Sequence, residues 1–168
     1  CNHTREELGV FNVRVSVISG YYNRGHLLER TVQSILKQSF KDFELYIFDD
    51  ASRDGTREAL AALAARLGDT RLRYVSHEEN LGMTRGLIDA IAHTSGEFIA
   101  IQGSGDVSHP ERLIRQVEFL DRHPDVGVVG CWSREVSLTG GDSYRRVQAD
   151  DAHFEDFMRS NFLNHGTV

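Results

Sequence analysis

One stretch constrains the fold more than any other: an apolar run stops abruptly at two carboxylates and continues through a polar turn into a helix. It covers residues 43–56, with Asp49 and Asp50 at the end of the apolar run and Asp54 as the predicted N-cap of the helix. A near-continuous apolar run is typical of a parallel strand buried on both faces, and ligands bind outside the carboxyl ends of such strands. Asp49 and Asp50 are therefore predicted to lie at a ligand site. An isolated Asp-Asp pair also suits an ordinary turn, so the rest of the chain must decide.

Predicted strands and helices alternate along most of the chain. The strands are predicted at residues 13–19, 43–49, 72–75, 97–102 and 126–130. Apolar residues at helical spacing follow each of the first four, the first helix covering about 25–38. The last of these helices is preceded by Ser108–Glu111, which is similar to a capping box with Pro110 in the first turn. This order predicts βαβ units and an α/β fold: a mostly parallel, Rossmann-like sheet flanked by helices.

The length of 168 residues suits one ordinary domain. We predict a flexible N-terminal arm over residues 1–12 and one domain over 13–168. After Cys131 the pattern loosens: residues 133–150 are interpreted as a loop or hairpin, and 152–161 as a short helix with Phe154, Phe157 and Met158 inward. Neither an internal repeat nor a low-complexity tract is present.

Charge and composition exclude several classes of protein. A net charge of −6 and a pI near 5.7 argue against a nucleic-acid binder. Cys1 and Cys131 are too few for a disulfide framework, and the eight histidines lack zinc-ligand spacing. No apolar run approaches the roughly 20 residues of a membrane span. We therefore expect a reducing, cytoplasmic setting, with a position at the membrane surface kept open for a longer protein.

Four loop sequences stand in an informative order. Tyr22-Asn23-Arg24 follows the first strand, residues 48–56 end the second, residues 80–85 begin with Asn-Leu-Gly, and Asp106 with residues 109–113 follows the fourth. Together they resemble the nucleotide-sugar-binding half of family 2 glycosyltransferases, of GT-A fold. The resemblance covers about residues 13–131 and resumes weakly at 164–168. It implies a GT-A domain that is incomplete at its C-terminal acceptor side.

The resemblance also implies which residues bind the donor. Tyr22 would offer an aromatic face to uracil, and Asp50 would accept the N–H of the base in a charge-assisted hydrogen bond. Asp49 would support Asp50 or face the sheet. Arg85 would lie near the diphosphate, although an exposed helical arginine in contact only with solvent is an equally good interpretation. The predicted nucleotide-sugar site thus consists of Ser19, Tyr22, Asn23, Asp49, Asp50, Arg85 and Ser104.

The chain departs from the family pattern at the metal site. Family members usually carry Asp-x-Asp after the fourth strand, which holds Mg²⁺ or Mn²⁺ against the diphosphate. Here Gly103 and Gly105 replace both carboxylates, and Asp106 remains. Asp106 is the candidate metal ligand, directly or through water; it is equally interpreted as stabilising the following helix N-terminus. Ser19-Gly20 also replaces the Pro-Thr or Pro-Ser often found after the first strand.

The leading hypothesis is a glycosyltransferase of polysaccharide-type biosynthesis. It would transfer a sugar, with inversion, from a UDP-linked donor to an acceptor hydroxyl on a carbohydrate, lipid-linked or protein acceptor. The catalytic base is expected beyond Val168, because the acidic cluster of Asp150, Asp151, Glu155 and Asp156 is interpreted as a solvated face. The alternative is a non-catalytic GT-A domain that kept the nucleotide site. A nucleotidyltransferase is less favoured, since no Gly-rich loop with Arg or Lys follows the first strand.

Overall fold

A computed structural model describes residues 13–131, 133–135 and 144–146. Its strands are β1 (Val15–Tyr21), β2 (Phe43–Asp49), β3 (Leu72–Ser76), β4 (Phe98–Ile101), β5 (Ser133–Glu135) and β6 (Tyr144–Arg146). Its helices are α1 (Leu28–Leu36), α2 (Thr56–Leu67), α3 (Met83–Ala92) and α4 (Arg112–Arg122), and a 3-10 turn at Gly25–Leu27 leads into α1. The predicted first strand and first helix are confirmed with boundaries shifted by a few residues.

The main sheet has the strand order β3-β2-β1-β4, and each neighbouring pair is parallel. Every residue of the two central strands is buried, as the apolar runs predict for strands covered on both faces. The chain order of the strands reverses between β1 and β4, so that both flank the switch point of the sheet. The α/β prediction is confirmed, and Tyr22, Asp50 and Ser104 follow strands β1, β2 and β4 at the carboxyl edge of this sheet.

The two faces of the sheet carry two hydrophobic clusters because side chains alternate along each strand. On one face, Val17 and Ile47 belong to the larger cluster, which α1, α2 and α4 cover. On the other face, Ile18, Tyr46 and Phe48 pack against Ala90 of α3. The sheet is therefore sandwiched between helices, and its polar end residues lie at one edge of this sandwich.

Close approach around Phe48 explains two glycines. A Cβ at Gly20 would overlap the Phe48 ring, and a Cβ at Gly86 would come within 2.5 Å of it. Phe48 is 1% exposed, so its ring cannot swing out to make room. The glycine that replaces the usual residue after the first strand thus accommodates an aromatic side chain from β2.

Three expectations are wrong. Residues 126–130 form no strand; Val128 is largely exposed, and this segment has no place in the ladder of the main sheet. The capping box does not form: α4 begins at Arg112 after Glu111, while the buried Ser108 hydroxyl donates to Gln102. Gly55, not Asp54, is the N-cap of α2, although Asp54 Oδ1 still accepts the N–H of Thr56 at 3.0 Å.

Part of the C-terminal prediction can be compared with the structure. β5 and β6 pair antiparallel, in agreement with the hairpin interpretation of residues 133–150. The predicted arm over 1–12, the helix over 152–161, the acidic cluster and the 164–168 motif lie outside the described residues. Among the helices of the described ranges, none combines the length and apolar character that crossing a bilayer requires.

Candidate functional site

A cavity of about 420 Å³ opens at the carboxyl ends of β1, β2 and β3. The segments after all three strands contribute to its wall, as expected for a ligand site in an open α/β sheet. The residues lining it are Tyr22, Ala51, Ser52, Arg53, Arg57, Glu58, His77, Glu78, Glu79 and Asn80. Of the predicted site residues, this cavity includes Tyr22.

Asn23 fixes the loops after β1 and β2 against each other. Its backbone N–H donates to Ser52 Oγ at 2.8 Å, and its side-chain Oδ1 accepts the N–H of Arg53 at 2.8 Å. Asn23 and Ala51 both adopt positive φ angles, 53° and 60°. Such strained backbone persists where the surroundings over-determine it. The wall of the cavity beside Tyr22 is therefore held by paired hydrogen bonds.

Asp50 ties the end of β2 to the segment that leads into α3. Its Oδ1 accepts the N–H of Leu81 at 2.8 Å, and its Oδ2 accepts the N–H of Gly82 at 2.9 Å. His77 Nδ1 lies 3.1 Å from Oδ1, and Asn80 Nδ2 donates to the Asp50 carbonyl at 3.1 Å. An ionised carboxylate offers about four acceptor positions, so the three contacts to its oxygens leave room for one more donor.

The electrostatics of Asp50 follow from these contacts. Burial alone would raise the pKa of its carboxyl, but the N–H groups of Leu81 and Gly82 and the His77 ring outweigh burial and lower the pKa. His77 is itself held by stacking on Phe48, with ring centroids 5.6 Å apart. Asp50 is thus a buried, ionised acceptor beneath the His77 wall of the cavity.

Asp49 and Ser19 are buried within β2 and β1 and are not among the residues that line the cavity. Asp49 is fully buried, and within the described part of the chain neither carboxylate oxygen has a hydrogen-bond partner. Ser19 is likewise buried, beside the Tyr21 side chain. Both interpretations of Asp49 stay predictions.

Two basic side chains near the predicted site, Arg85 and Arg24, differ in their contacts. Arg85 is exposed in the first turn of α3 and makes no hydrogen bond or ion pair with another described residue. Arg24 reaches from the loop after β1 to the loop after β4, where its Nη1 donates to the Ser104 carbonyl at 3.1 Å and lies 3.5 Å from Ser104 Oγ. The structure therefore brings Arg24, which our sequence analysis left out of the site, together with Ser104.

A buried polar network supports the loop after β4. Gln102 Oε1 accepts Ser108 Oγ at 2.7 Å and Arg112 Nη1 at 2.8 Å, while its Nε2 donates to the Asp106 carbonyl at 3.2 Å. Arg112 Nη2 also donates to the Ile101 carbonyl at 3.0 Å. The sequence patterns do not single out Gln102, Arg112 or His77. The available signal was a glutamine at the end of an apolar strand.

The described residues do not fit the divalent-metal site that the resemblance implies. No group of three or more His, Cys, Asp or Glu side chains able to hold a metal ion occurs in the described ranges. Gly105 adopts a φ of 100°, and a Cβ there would lie 2.7 Å from Leu27 Cδ1. This backbone therefore disfavours a carboxylate at position 105, and Asp106 is left as an exposed acid in the loop. Its role as a metal ligand stays a prediction.

Comparisons with known proteins agree with this geometry. Residues 16–166 match the family described as glycosyl transferase family 2. The chain is 40% identical over 117 residues to the putative glycosyltransferase EpsE of Bacillus subtilis, covering 70% of this chain and 42% of that protein.

Solved structures show the same fold. A mannosyltransferase of Pyrobaculum calidifontis in complex with GDP-Man and Mn²⁺ matches with a TM-score of 0.62 and 28% identity, over 72% of this chain and 35% of that one. TarS 1-349 of S. aureus in complex with UDP matches with a TM-score of 0.59 and 28% identity, over 66% and 33%. The chain thus spans less than half the length of each of these three proteins.

Proposed function

The chain belongs to glycosyl transferase family 2, and from this we propose that it is the donor-binding part of an enzyme that transfers a sugar from a nucleoside diphosphate sugar to an acceptor hydroxyl. We propose a UDP-linked donor. The support is the UDP complex of TarS, one of the fold neighbours, together with Tyr22 and Asp50 at the matching ends of β1 and β2. Because another neighbour binds GDP-Man, the preference of this site for uracil over guanine has to be measured.

The observation that carries the proposal is the walled cavity beside Tyr22. Tyr22 is 48% exposed, so its ring is free to stack on a base. The cavity is also lined by His77 and Asn80, which both contact Asp50. The Asp50 carboxylate keeps one acceptor position. A ring stacked on Tyr22 with its imide N–H toward Asp50 would satisfy both groups. The buried, ionised state of Asp50 suits this acceptor role.

In the proposed reaction the acceptor hydroxyl attacks the anomeric carbon of the sugar from the side opposite the diphosphate. The new glycosidic bond forms as the bond to the diphosphate oxygen breaks, and a carboxylate base takes the hydroxyl proton. We assign the base to no described residue. The described part of the chain supplies donor binding and orientation, and the acceptor is of carbohydrate, lipid-linked or protein type.

The test is calorimetric titration of uridine, UDP and GDP into the 168-residue chain and into a Tyr22→Ala variant. Loss of stacking is expected to weaken uridine and UDP binding about tenfold. Tyr74→Ala is the matched control, because Tyr74 is similarly exposed (44%) but lies within β3. Absence of uridine binding by the folded wild type, or equal loss in both variants, would contradict the proposed base site.

One observation favours a second function, a nucleotide-sugar-binding domain without catalysis. The loop after β4 holds glycine at both positions where the family carries carboxylates, and Gly105 has a backbone that disfavours replacement. Both functions predict nucleotide binding, so release of UDP from a UDP-sugar by the longest natural form of the chain distinguishes them. A nucleotidyltransferase is disfavoured by the family membership itself.

A further inference from the structure

We propose that Arg24 binds the diphosphate of the donor and that this chain therefore binds its nucleotide without a divalent metal ion. The inference rests on the proposed function, because it concerns the diphosphate end of the same nucleotide. The usual family pattern is different: there, a metal ion held by Asp-x-Asp contacts the diphosphate.

The position of Arg24 is the first observation. Its guanidinium reaches across the carboxyl edge of the sheet to Ser104, the residue between the two glycines that replace Asp-x-Asp. The contact uses one of its nitrogens, Nη1; the other nitrogens make no hydrogen bond to a described residue, and Arg24 forms no ion pair with a described carboxylate. A cation with spare donors thus stands beside the loop where the metal would be expected.

The backbone of Arg24 is held in place, which makes this position a property of the fold. Its N–H donates to Thr56 Oγ1 at 3.2 Å, and Thr56 is fully buried at the start of α2. At the next residue, Gly25, a Cβ would lie 3.0 Å from the Thr56 Cα, so that the loop packs directly on α2. The side chain of Arg24 therefore starts from a fixed point and has less freedom to lose on binding.

The loop after β4 supplies the second observation. Gly105 donates its N–H to Thr31 Oγ1 at 3.0 Å and adopts a φ of 100°, while Leu27 occupies the space a side chain would need. The loop is thus built around a glycine at one of the two expected ligand positions. Asp106 is the carboxylate that remains in this loop, one fewer than Asp-x-Asp supplies, and the described residues hold no group of three or more His, Cys, Asp or Glu side chains able to bind a metal ion.

The guanidinium of Arg24 and the diphosphate of the donor are chemically complementary. A guanidinium presents a planar fork of N–H donors that matches the oxygens of a phosphate and stays charged at any physiological pH. It stabilises the charge on a diphosphate as hydrogen-bonded positive charge rather than as metal–oxygen bonds. In the described part of the chain, Arg57 is tied to Glu78 and Arg53 lines the base cavity. Arg112 also contacts the loop after β4 but is buried in the Gln102 network, whereas Arg24 is exposed and contacts that loop from the carboxyl edge.

The experiment is calorimetric titration of uridine and UDP in EDTA and in Mn²⁺, with wild type, Arg24→Gln, Arg24→Lys and Arg30→Gln. We expect wild type to bind UDP in EDTA with an affinity within about threefold of that in Mn²⁺. Arg24→Gln should weaken UDP binding about tenfold and leave uridine binding unchanged, because a charge-assisted hydrogen bond is lost. Arg24→Lys should recover part of the loss. Arg30 is exposed on α1, and its variant should match wild type.

Each outcome has a separate meaning. UDP binding that requires Mn²⁺, with uridine binding intact, would overturn this inference and leave the proposed function standing. Electron paramagnetic resonance would check this Mn²⁺ dependence, because the protein with UDP should then remove more of the free Mn²⁺ signal than UDP alone does. The same measurement on an Asp106 variant would test Asp106 as the ligand. Equal UDP affinity in wild type and Arg24→Gln would overturn the assignment of Arg24. Failure of wild type to bind uridine would remove the proposed function and, with it, this inference.

Discussion

The carboxylate of Asp50 and the backbone nitrogen of Leu81 lie 2.8 Å apart, although 31 positions separate them in the chain. With the neighbouring bond to Gly82, this contact joins the end of β2 to the start of α3. Asp50, which the sequence places at a ligand site, therefore also holds two segments of the fold together. Variants of Asp50 must be measured for both stability and binding.

Replacing Asp50 by Ala is expected to lower the free energy of unfolding by about 1–3 kcal/mol, because it removes the acceptor of two backbone N–H groups in a part-buried site. Urea denaturation measures the change. Asp125→Ala is the control, since Asp125 is exposed in the turn after α4 and accepts no hydrogen bond from a described residue. Equal stability of the two variants would show that the Leu81 and Gly82 contacts contribute nothing.

The lowered pKa of Asp50 predicts that its contribution to the free energy of unfolding depends on pH. Its folded pKa lies below the reference value of 3.8, so its stabilisation is fully present above that value and is lost as pH falls through the lower folded pKa. The stability gap between wild type and Asp50→Asn should therefore narrow as the pH falls below the reference value of 3.8. A gap that widens on acidification would mean that the pKa is raised instead.

The tight packing at Phe48 predicts that Gly20→Ala and Gly86→Ala each destabilise the chain by about 1–3 kcal/mol through overpacking. Gly127→Ala is the matched control, because a Cβ there has no atom within 4 Å. In a double-mutant cycle, Phe48→Leu should reduce the cost of each glycine substitution. Additive effects would show that the ring does not occupy the space in question.

Local sequence patterns were enough to predict those strands and helices whose apolar residues are determined by burial. The parallel strands β1 to β4 and the helices between them were predictable because strands buried on both faces and helices with one apolar face have distinct periods. The same reasoning predicts Asp50 at the carboxyl edge, whereas Tyr22 is assigned to the site through the family resemblance. The same reasoning predicted a strand at residues 126–130 that does not form. A β-branched run forms a strand only where a partner strand is available, and in the described residues β4 is an edge strand with no neighbour beyond it.

Long-range side-chain contacts were beyond sequence reasoning. Ser108 was predicted to cap α4 from its spacing to Glu111, but its hydroxyl bonds Gln102 across the loop. Arg24 belongs to the first loop motif, but no local pattern assigns it a role, because its reach to Ser104 depends on the pairing of β1 with β4. The contact between Arg24 and Ser104 joins residues 80 positions apart, and no local period encodes it.

The network below the loop after β4 predicts that Arg112→Leu lowers the unfolding free energy by about 1–3 kcal/mol, because the Gln102 side chain and the Ile101 carbonyl lose a buried donor. Arg115→Leu on the same helix is the control: Arg115 is exposed and pairs with Glu111, a contact worth about 0.3–0.5 kcal/mol. Chemical denaturation compares the two. Similar losses would mean that Arg112 acts only through helix α4 and not through the network.

The geometry of the loop after β4 also predicts the effect of restoring a carboxylate. Gly105→Asp should destabilise the chain by about 1–3 kcal/mol, because it places an L side chain at a φ of 100° and against Leu27. Gly127→Asp adds the same side chain where a Cβ meets open space, and should cost far less. In a Leu27→Ala background the contact is relieved but the positive φ remains, so the cost of Gly105→Asp should fall without vanishing. Full recovery would assign the whole cost to Leu27, whereas no loss of stability in Gly105→Asp itself would show that the loop admits a carboxylate and would remove one of the two observations behind metal-independent binding.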